Sequence, residues 1–170
     1  VFTIMHGSFM PAIGVGQSCA TLVGKYLGKN KPEKAEITIY ESIRWALYIM
    51  GSMGIIFILF PQFIIPIFTK EVDLIVLSIP GLRIVGILQF FDAVAITLWF
   101  ALTGAGNTLY PSVVDSLLCY LFFLPVAYLT GIVLNWGYMG PWLAFSLHLG
   151  LFMIFMIMKV RNGSWKKIQI

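Results

Sequence analysis

The sequence predicts an all-α protein, a polytopic bundle of about five transmembrane helices. Hydrophobic residues make up 59% of the 170 residues and charged residues only 11%, whereas an average soluble domain carries roughly 25% charged residues. The mean hydropathy is +0.93. The charges gather in short segments between apolar runs. A helix that spans the bilayer needs about 20 consecutive apolar residues. This distribution favours a membrane protein, and it argues against a nucleic-acid partner despite the net charge of +4.

The first predicted helix extends from Val1 to about Gly24, and because the chain opens inside an apolar run we expect that its beginning is missing. Pro11 is expected to kink this helix without ending it. Small residues recur every four positions, which lets a neighbouring helix approach closely. We therefore predict a helix-packing role for Gly16, Ala20 and Gly24.

The second helix follows a lysine-rich loop, and Asn30 is expected to cap it, with a proline in the first turn. It is predicted to continue to about Phe68, with Pro61 and Pro66 bending its far end. A charged loop and a short segment then lead to Pro80.

The third helix, predicted from about Gly81 to Leu102, carries Asp92 near its middle. A carboxylate at mid-bilayer depth costs about 3 kcal/mol unless it faces protein or a wet cavity. Gln89 lies one turn before it and Trp99 about two turns after it, on the same face. We predict that Asp92, Gln89 and Trp99 bind a coupling ion, a proton or a substrate, with sodium at Asp92 as the possible metal.

The rest of the chain contains a fourth helix, from Ser112 to about Leu134, and a fifth, from Pro141 to Met158. Residues 1–158 are thus assigned to the membrane bundle and residues 159–170 to a basic tail. The lysine-rich loop and the tail hold most of the basic residues, so the positive-inside rule places both in the cytoplasm. By alternation, the Gly104–Asn107 turn is expected on that side too.

An enzyme would need a cluster of His, Asp or Glu at metal-binding spacing, or a Ser–His couple. His6 and His148 lie on separate predicted helices, and Asp115 is expected near the cytoplasmic face, where solvation accounts for it. We therefore predict that the protein is not an enzyme. A purely structural membrane subunit remains open if Asp92 is inert.

Four stretches, in this order along the chain, resemble the multidrug and toxic compound extrusion (MATE) family of transporters. They are GVGQSCATLVGKYLGKNKPEKA (Gly14–Ala35), RIVGILQFFDAVAITLWFALTGAGNTLYP (Arg83–Pro111), LPVAYLTG (Leu124–Gly131), and GPWLAFSL (Gly140–Leu147) followed by NGSWKKIQI. Asp92 falls where family members often carry a cation- or proton-binding acid. Three positions depart from the family pattern, which leaves the choice of ion open: Thr103, Asn107 and Phe123.

The resemblance implies the carboxyl-terminal part of a two-bundle, twelve-helix transporter of the plasma membrane, with its amino-terminal bundle as a missing partner. It also implies export of cationic or amphipathic drugs by antiport with sodium or protons, and no cofactor besides that ion. The alternative is a flippase for a lipid-linked oligosaccharide. Such a protein needs several basic residues in its cavity. The mid-membrane charge here is an acid, which argues against the flippase.

Overall fold

The computed structural model describes residues 2–167, and the predictions that fall on Val1 and on residues 168–170 lie outside this range. Six helices and a 3₁₀ turn make up the described chain. They are α1 (Phe2–Gly28), α2 (Pro32–Leu59), α3 (Pro61–Phe68), α4 (Val72–Gly104), α5 (Leu109–Val133), α6 (Met139–Arg161) and the 3₁₀ turn Ser164–Lys167. The all-α prediction is confirmed.

Four of these helices, α2, α4, α5 and α6, are long and apolar enough to cross a membrane. α1 has 27 residues, which is also long enough to cross a membrane. It is nevertheless not among the four candidate spans found in residues 2–167. Its polar side chains account for this difference, since they lower its hydropathy: Thr3, His6, Ser8, Gln17, Ser18 and Thr21. The predicted five long helices therefore occur, and four of them qualify as candidate spans.

The central helix α4 has 33 residues and is about 50 Å long at 1.5 Å per residue. It packs against α1, α2 and α6. The predicted start at Gly81 was wrong, because the helix continues through Pro80 from Val72. Neighbouring helices make a proline tolerable inside a membrane helix. Arg83 therefore lies about three turns inside α4 and not at its start.

The predicted single helix up to Phe68 was also wrong, because α2 ends at Leu59 and a separate α3 begins at Pro61. A proline disfavours helical geometry in the residue before it, and Phe60 has φ −124° and ψ 39°. Asn30 does not cap α2 either. It adopts a left-handed φ of 53°, which asparagine tolerates, and the capping position falls to Lys31.

One end of the bundle gathers the second half of α1, the start of α2, the end of α4 and the end of α6 around one apolar cluster. Trp165 of the 3₁₀ turn is fully buried in this cluster, and its indole N–H donates to the Val160 carbonyl over 2.9 Å. Lys166 Nζ lies 2.7 Å from Glu36 Oε2 on α2. The described part of the basic tail is therefore docked on the bundle. The lysine-rich loop, the Gly104–Asn107 turn and this segment share one end.

α5 is irregular: two π-helical segments, Leu118–Phe123 and Leu129–Val133, interrupt its α-helical parts. Pro125 follows the first segment directly, and because proline lacks an N–H donor, a local change of the hydrogen-bond ladder accommodates it. α5 packs on α6 and is otherwise mostly exposed.

Candidate functional site

The seam between α1 and α4 is built from small residues that allow the two backbones to touch. A Cβ added to Gly24 would lie 3.0 Å from the Gly104 carbonyl oxygen, and one added to Gly104 would collide with the backbone of Ala20. At Gly16 an added Cβ would collide with the ring of Phe100. The three residues of the predicted ridge thus face α4, and the seam fixes the register between the two helices.

A second glycine contact joins α2 to α4. A Cβ added to Gly54 would lie 2.5 Å from the Gly86 carbonyl oxygen, and one added to Gly86 would lie 2.7 Å from the Gly54 carbonyl oxygen. α4 is therefore clamped between α1 and α2 over the stretch that carries Gln89 and Asp92. Both side chains are buried, with 1% and 5% of their surface exposed.

A short hydrogen-bond chain orients the amide of Gln89. The Ser8 hydroxyl donates to the Met5 carbonyl over 2.7 Å, and the Gln89 Nε2 group donates to the Ser8 oxygen. Because a hydroxyl has a single hydrogen to donate, Ser8 must act as the acceptor towards Gln89. The carbonyl oxygen Oε1 of Gln89 is therefore left without a partner among the described residues.

Asp92 and Gln89 line a cavity of about 10 Å³, which is about the volume that one water molecule requires. The other walls are apolar and come from α1, α4 and α6: Met5, Phe9, Val85, Leu88 and Leu149. Asp92 Oδ2 is buried and has no hydrogen-bond partner among the described residues. Two residues that line this cavity therefore each carry an unpartnered buried oxygen.

Unpartnered buried acceptors are costly, by about 1–3 kcal/mol each, and more for a charged group. A proton or a small cation relieves this cost. A proton on Asp92 gives the carboxyl a hydrogen to donate, and Gln89 Oε1, one turn away on the same face, is an acceptor. A sodium ion would use the same oxygens as ligands. Among residues 2–167 no three His, Cys, Asp or Glu side chains are close enough to hold a metal.

Trp99, the third predicted site residue, does not line this cavity. It lies seven residues after Asp92, about 10 Å further along α4, and belongs to the apolar cluster at the docked end. Its ring makes an edge contact with Phe152 of α6, with centroids 5.7 Å apart. The structure therefore brings Asp92 and Gln89 together and places Trp99 in the packing between α4 and α6.

Sequence reasoning missed a second polar pair. His148 Nε2 of α6 lies 3.5 Å from Asp115 Oδ1 of α5. The π-helical segments of α5 shift its register against α6, so the spacing in sequence does not reveal the contact. Their i→i+5 bonds place more residues in each turn.

This fold and this site define a class of protein: a helical membrane protein with a buried ion- or proton-sized cavity around a carboxylate. The comparisons with known proteins agree with that class. The MatE family model matches residues 1–129, so the chain belongs to the MatE family. Members of that family are transporters, and the prediction that the chain is not an enzyme is confirmed.

Two curated relatives illustrate the match. A probable multidrug resistance protein NorM of Thermotoga maritima is 32% identical over 160 residues, which is 94% of this chain and 34% of the relative. An uncharacterized transporter YisQ of Bacillus subtilis is 26% identical over 97% of this chain and 35% of its own. The chain thus spans about a third of the length of these relatives.

A solved structure, that of the eukaryotic MATE transporter AtDTX14, matches the fold with a TM-score of 0.91. The match covers 97% of this chain and 37% of that one, at 19% sequence identity. The prediction that this chain folds as part of a larger helical transporter bundle is therefore confirmed.

Proposed function

We propose that the full-length protein exports cationic or amphipathic compounds in exchange for sodium ions or protons, and that Asp92 is the exchange site. The observation that carries the proposal is the unpartnered Oδ2 of a buried carboxylate beside the unpartnered oxygen of Gln89. Relatives described as multidrug resistance proteins support the substrate class.

Exchange follows from competition for one negative charge. When the coupling ion or a proton occupies Asp92, the carboxylate is neutralised and no longer attracts a substrate cation. When the site empties, the carboxylate again favours a cation, because an uncompensated charge is costly at this depth. Ion binding and substrate release are thus coupled in one exchange equilibrium, in which each cation weakens the binding of the other.

The close packing of α1 on α4 couples the exchange at Asp92 to movement of these two helices. The wall of the cavity contains Met5 and Phe9 of α1 as well as residues of α4, so a change at Asp92 acts directly on the contact between the two helices. Small residues leave few side chains to repack when such helices slide or bend. The ridges involved are Gly16, Ala20 and Gly24 on α1 and Ala93, Thr97 and Ala101 on α4, with Ala105 directly after α4.

A drug-efflux assay with Asp92→Asn tests the proposal. The amide cannot carry the charge that the two cations compete for, so we expect efflux to fall to the level of cells without the transporter. Asp73→Asn is the matched control, because Asp73 is an exposed acid at the start of the same helix, and it should keep full activity. Full efflux by Asp92→Asn would overturn the proposal.

A further inference from the structure

The interface between α5 and α6 is antiparallel and is held at both of its ends. At one end the Tyr110 hydroxyl donates to the Phe155 carbonyl over 3.3 Å, and the Lys159 ammonium lies 4.7 Å from the centre of the Tyr110 ring. At the other end a Cβ added to Gly140 would lie 2.5 Å from the Gly131 nitrogen. Between these anchors the helices enclose a cleft.

The pair formed by His148 and Asp115 lies between these two anchors. His148 is 8% exposed, its ring stacks on Phe152 with centroids 6.4 Å apart, and Phe123 of α5 lies 5.9 Å away on a tilted plane. The Nδ1 atom is buried and has no hydrogen-bond partner among the described residues. The other ring nitrogen, Nε2, lies 3.5 Å from Oδ1 of Asp115 on α5.

The cleft beside the pair has a volume of about 570 Å³, which is in the range of small-molecule sites. Asp115, Cys119 and His148 line it together with five other residues: Phe123, Tyr138, Pro141, Trp142 and Phe145. The side chain of Asp115 is 38% exposed, so water in the cleft can exchange protons with the pair. An imidazole nitrogen facing a carboxylate oxygen at 3.5 Å is an arrangement that can bind a proton.

We propose that His148 and Asp115 form a second proton-binding site, separate from Asp92, in which proton uptake by His148 ties α6 to α5 and narrows the cleft. The proton from water binds the free ring nitrogen of the neutral imidazole. Both nitrogens then carry hydrogen, and Nε2–H donates to the carboxylate of Asp115. Charge-assisted bonds of this kind close to about 2.7–2.9 Å, which is shorter than the distance in the structure.

The other titratable groups around the pair come from three directions. Cys119 of α5 and Tyr138, just before α6, line the same cleft. Asp92 of α4 lies behind Leu149, the residue after His148, in a cavity that shares no lining residue with the cleft. Tyr110 and Lys159 meet at the end of the interface. The pair therefore lies in a cleft that is separate from the cavity of Asp92.

Cys119 provides a natural reporter for the cleft, one helical turn after Asp115. The test uses the full-length protein in nanodiscs, with Cys119 as its sole cysteine, and measures the rate of labelling by an uncharged pyridyl disulfide between pH 8 and pH 5. A free cysteine peptide corrects for the intrinsic pH dependence of the thiol. We expect the corrected rate to fall about threefold or more at low pH, because the protonated pair narrows the cleft.

Two variants on different helices make the result decisive. His148→Gln and Asp115→Asn should each abolish the corrected pH response, whereas Asp92→Asn should keep it. A response that survives both substitutions, or no response in the unsubstituted protein, would overturn the proposal. A response lost in Asp92→Asn would show that the two sites are one. The proposed exchange at Asp92 is tested separately by efflux, so either proposal can fail without the other.

Discussion

At the scale of single residues, the site depends on which atoms are left without partners. Asp92 and Gln89 could be named as candidate site residues from the sequence, because an acid inside an apolar run has few structural explanations. Ser8 could not, since it meets Gln89 across 81 residues of chain and an isolated serine carries no pattern of its own. The contact that orients the Gln89 amide is purely tertiary.

Gln89→Leu tests the role of that carbonyl. Leucine fills a similar volume but offers no acceptor, so we expect the apparent affinity for the coupling ion or proton to fall about tenfold, or about 1.4 kcal/mol. Uptake of substrate into proteoliposomes at graded pH and sodium concentration measures this affinity. Gln62→Leu, at an exposed position of α3, is the control and should change nothing. An unchanged affinity in Gln89→Leu would remove this residue from the site.

At the scale of elements, the number of long helices and the small-residue face of α1 follow from hydrophobic runs and four-residue spacing. The helix limits were less predictable, since prolines act according to context. Pro80 lies inside α4, whereas Pro61 begins a new helix. The contact between Gly54 of α2 and Gly86 of α4 is also tertiary. A single glycine in a helix does not indicate which other helix packs against it.

Gly104→Ala tests the seam between α1 and α4. The added Cβ would collide with the Ala20 backbone, and overpacking of this kind costs about 1–3 kcal/mol. We expect a lower midpoint of thermal unfolding for the purified full-length protein. Gly14→Ala is the matched control on the exposed side of α1, where an added Cβ meets nothing within 4 Å, so it should be neutral or slightly stabilising. Equal midpoints in the two variants would contradict the close packing.

At the scale of the whole molecule, the lysine-rich loop, the Gly104–Asn107 turn and the docked segment around Trp165 meet at one end of the bundle. This agrees with the alternation expected from the sequence. Which side of the membrane that end occupies stays a prediction from the positive-inside rule, which places it in the cytoplasm. The chain spans about a third of its relatives' length, and α5 has most of its surface exposed.

Cysteine labelling in intact cells tests this orientation. Asn135→Cys, in the turn before α6, should react with a membrane-impermeant maleimide added outside. Thr108→Cys, at the opposite end, should react only after the cells are permeabilised. Both positions are exposed, so access to the reagent depends on the membrane. The reverse pattern would mean that the basic end faces outward.

The central claim is that Asp92 exchanges a substrate cation for a sodium ion or a proton, and the most direct measurement is a two-way titration of substrate affinity. The full-length protein is titrated with substrate at several pH values without sodium, and at several sodium concentrations at constant pH. If protons drive exchange, affinity should weaken as pH falls, and if sodium drives it, sodium should compete with substrate. In both cases Asp92→Asn should remove the dependence. Affinity that is indifferent to both pH and sodium in the unsubstituted protein would contradict the claim.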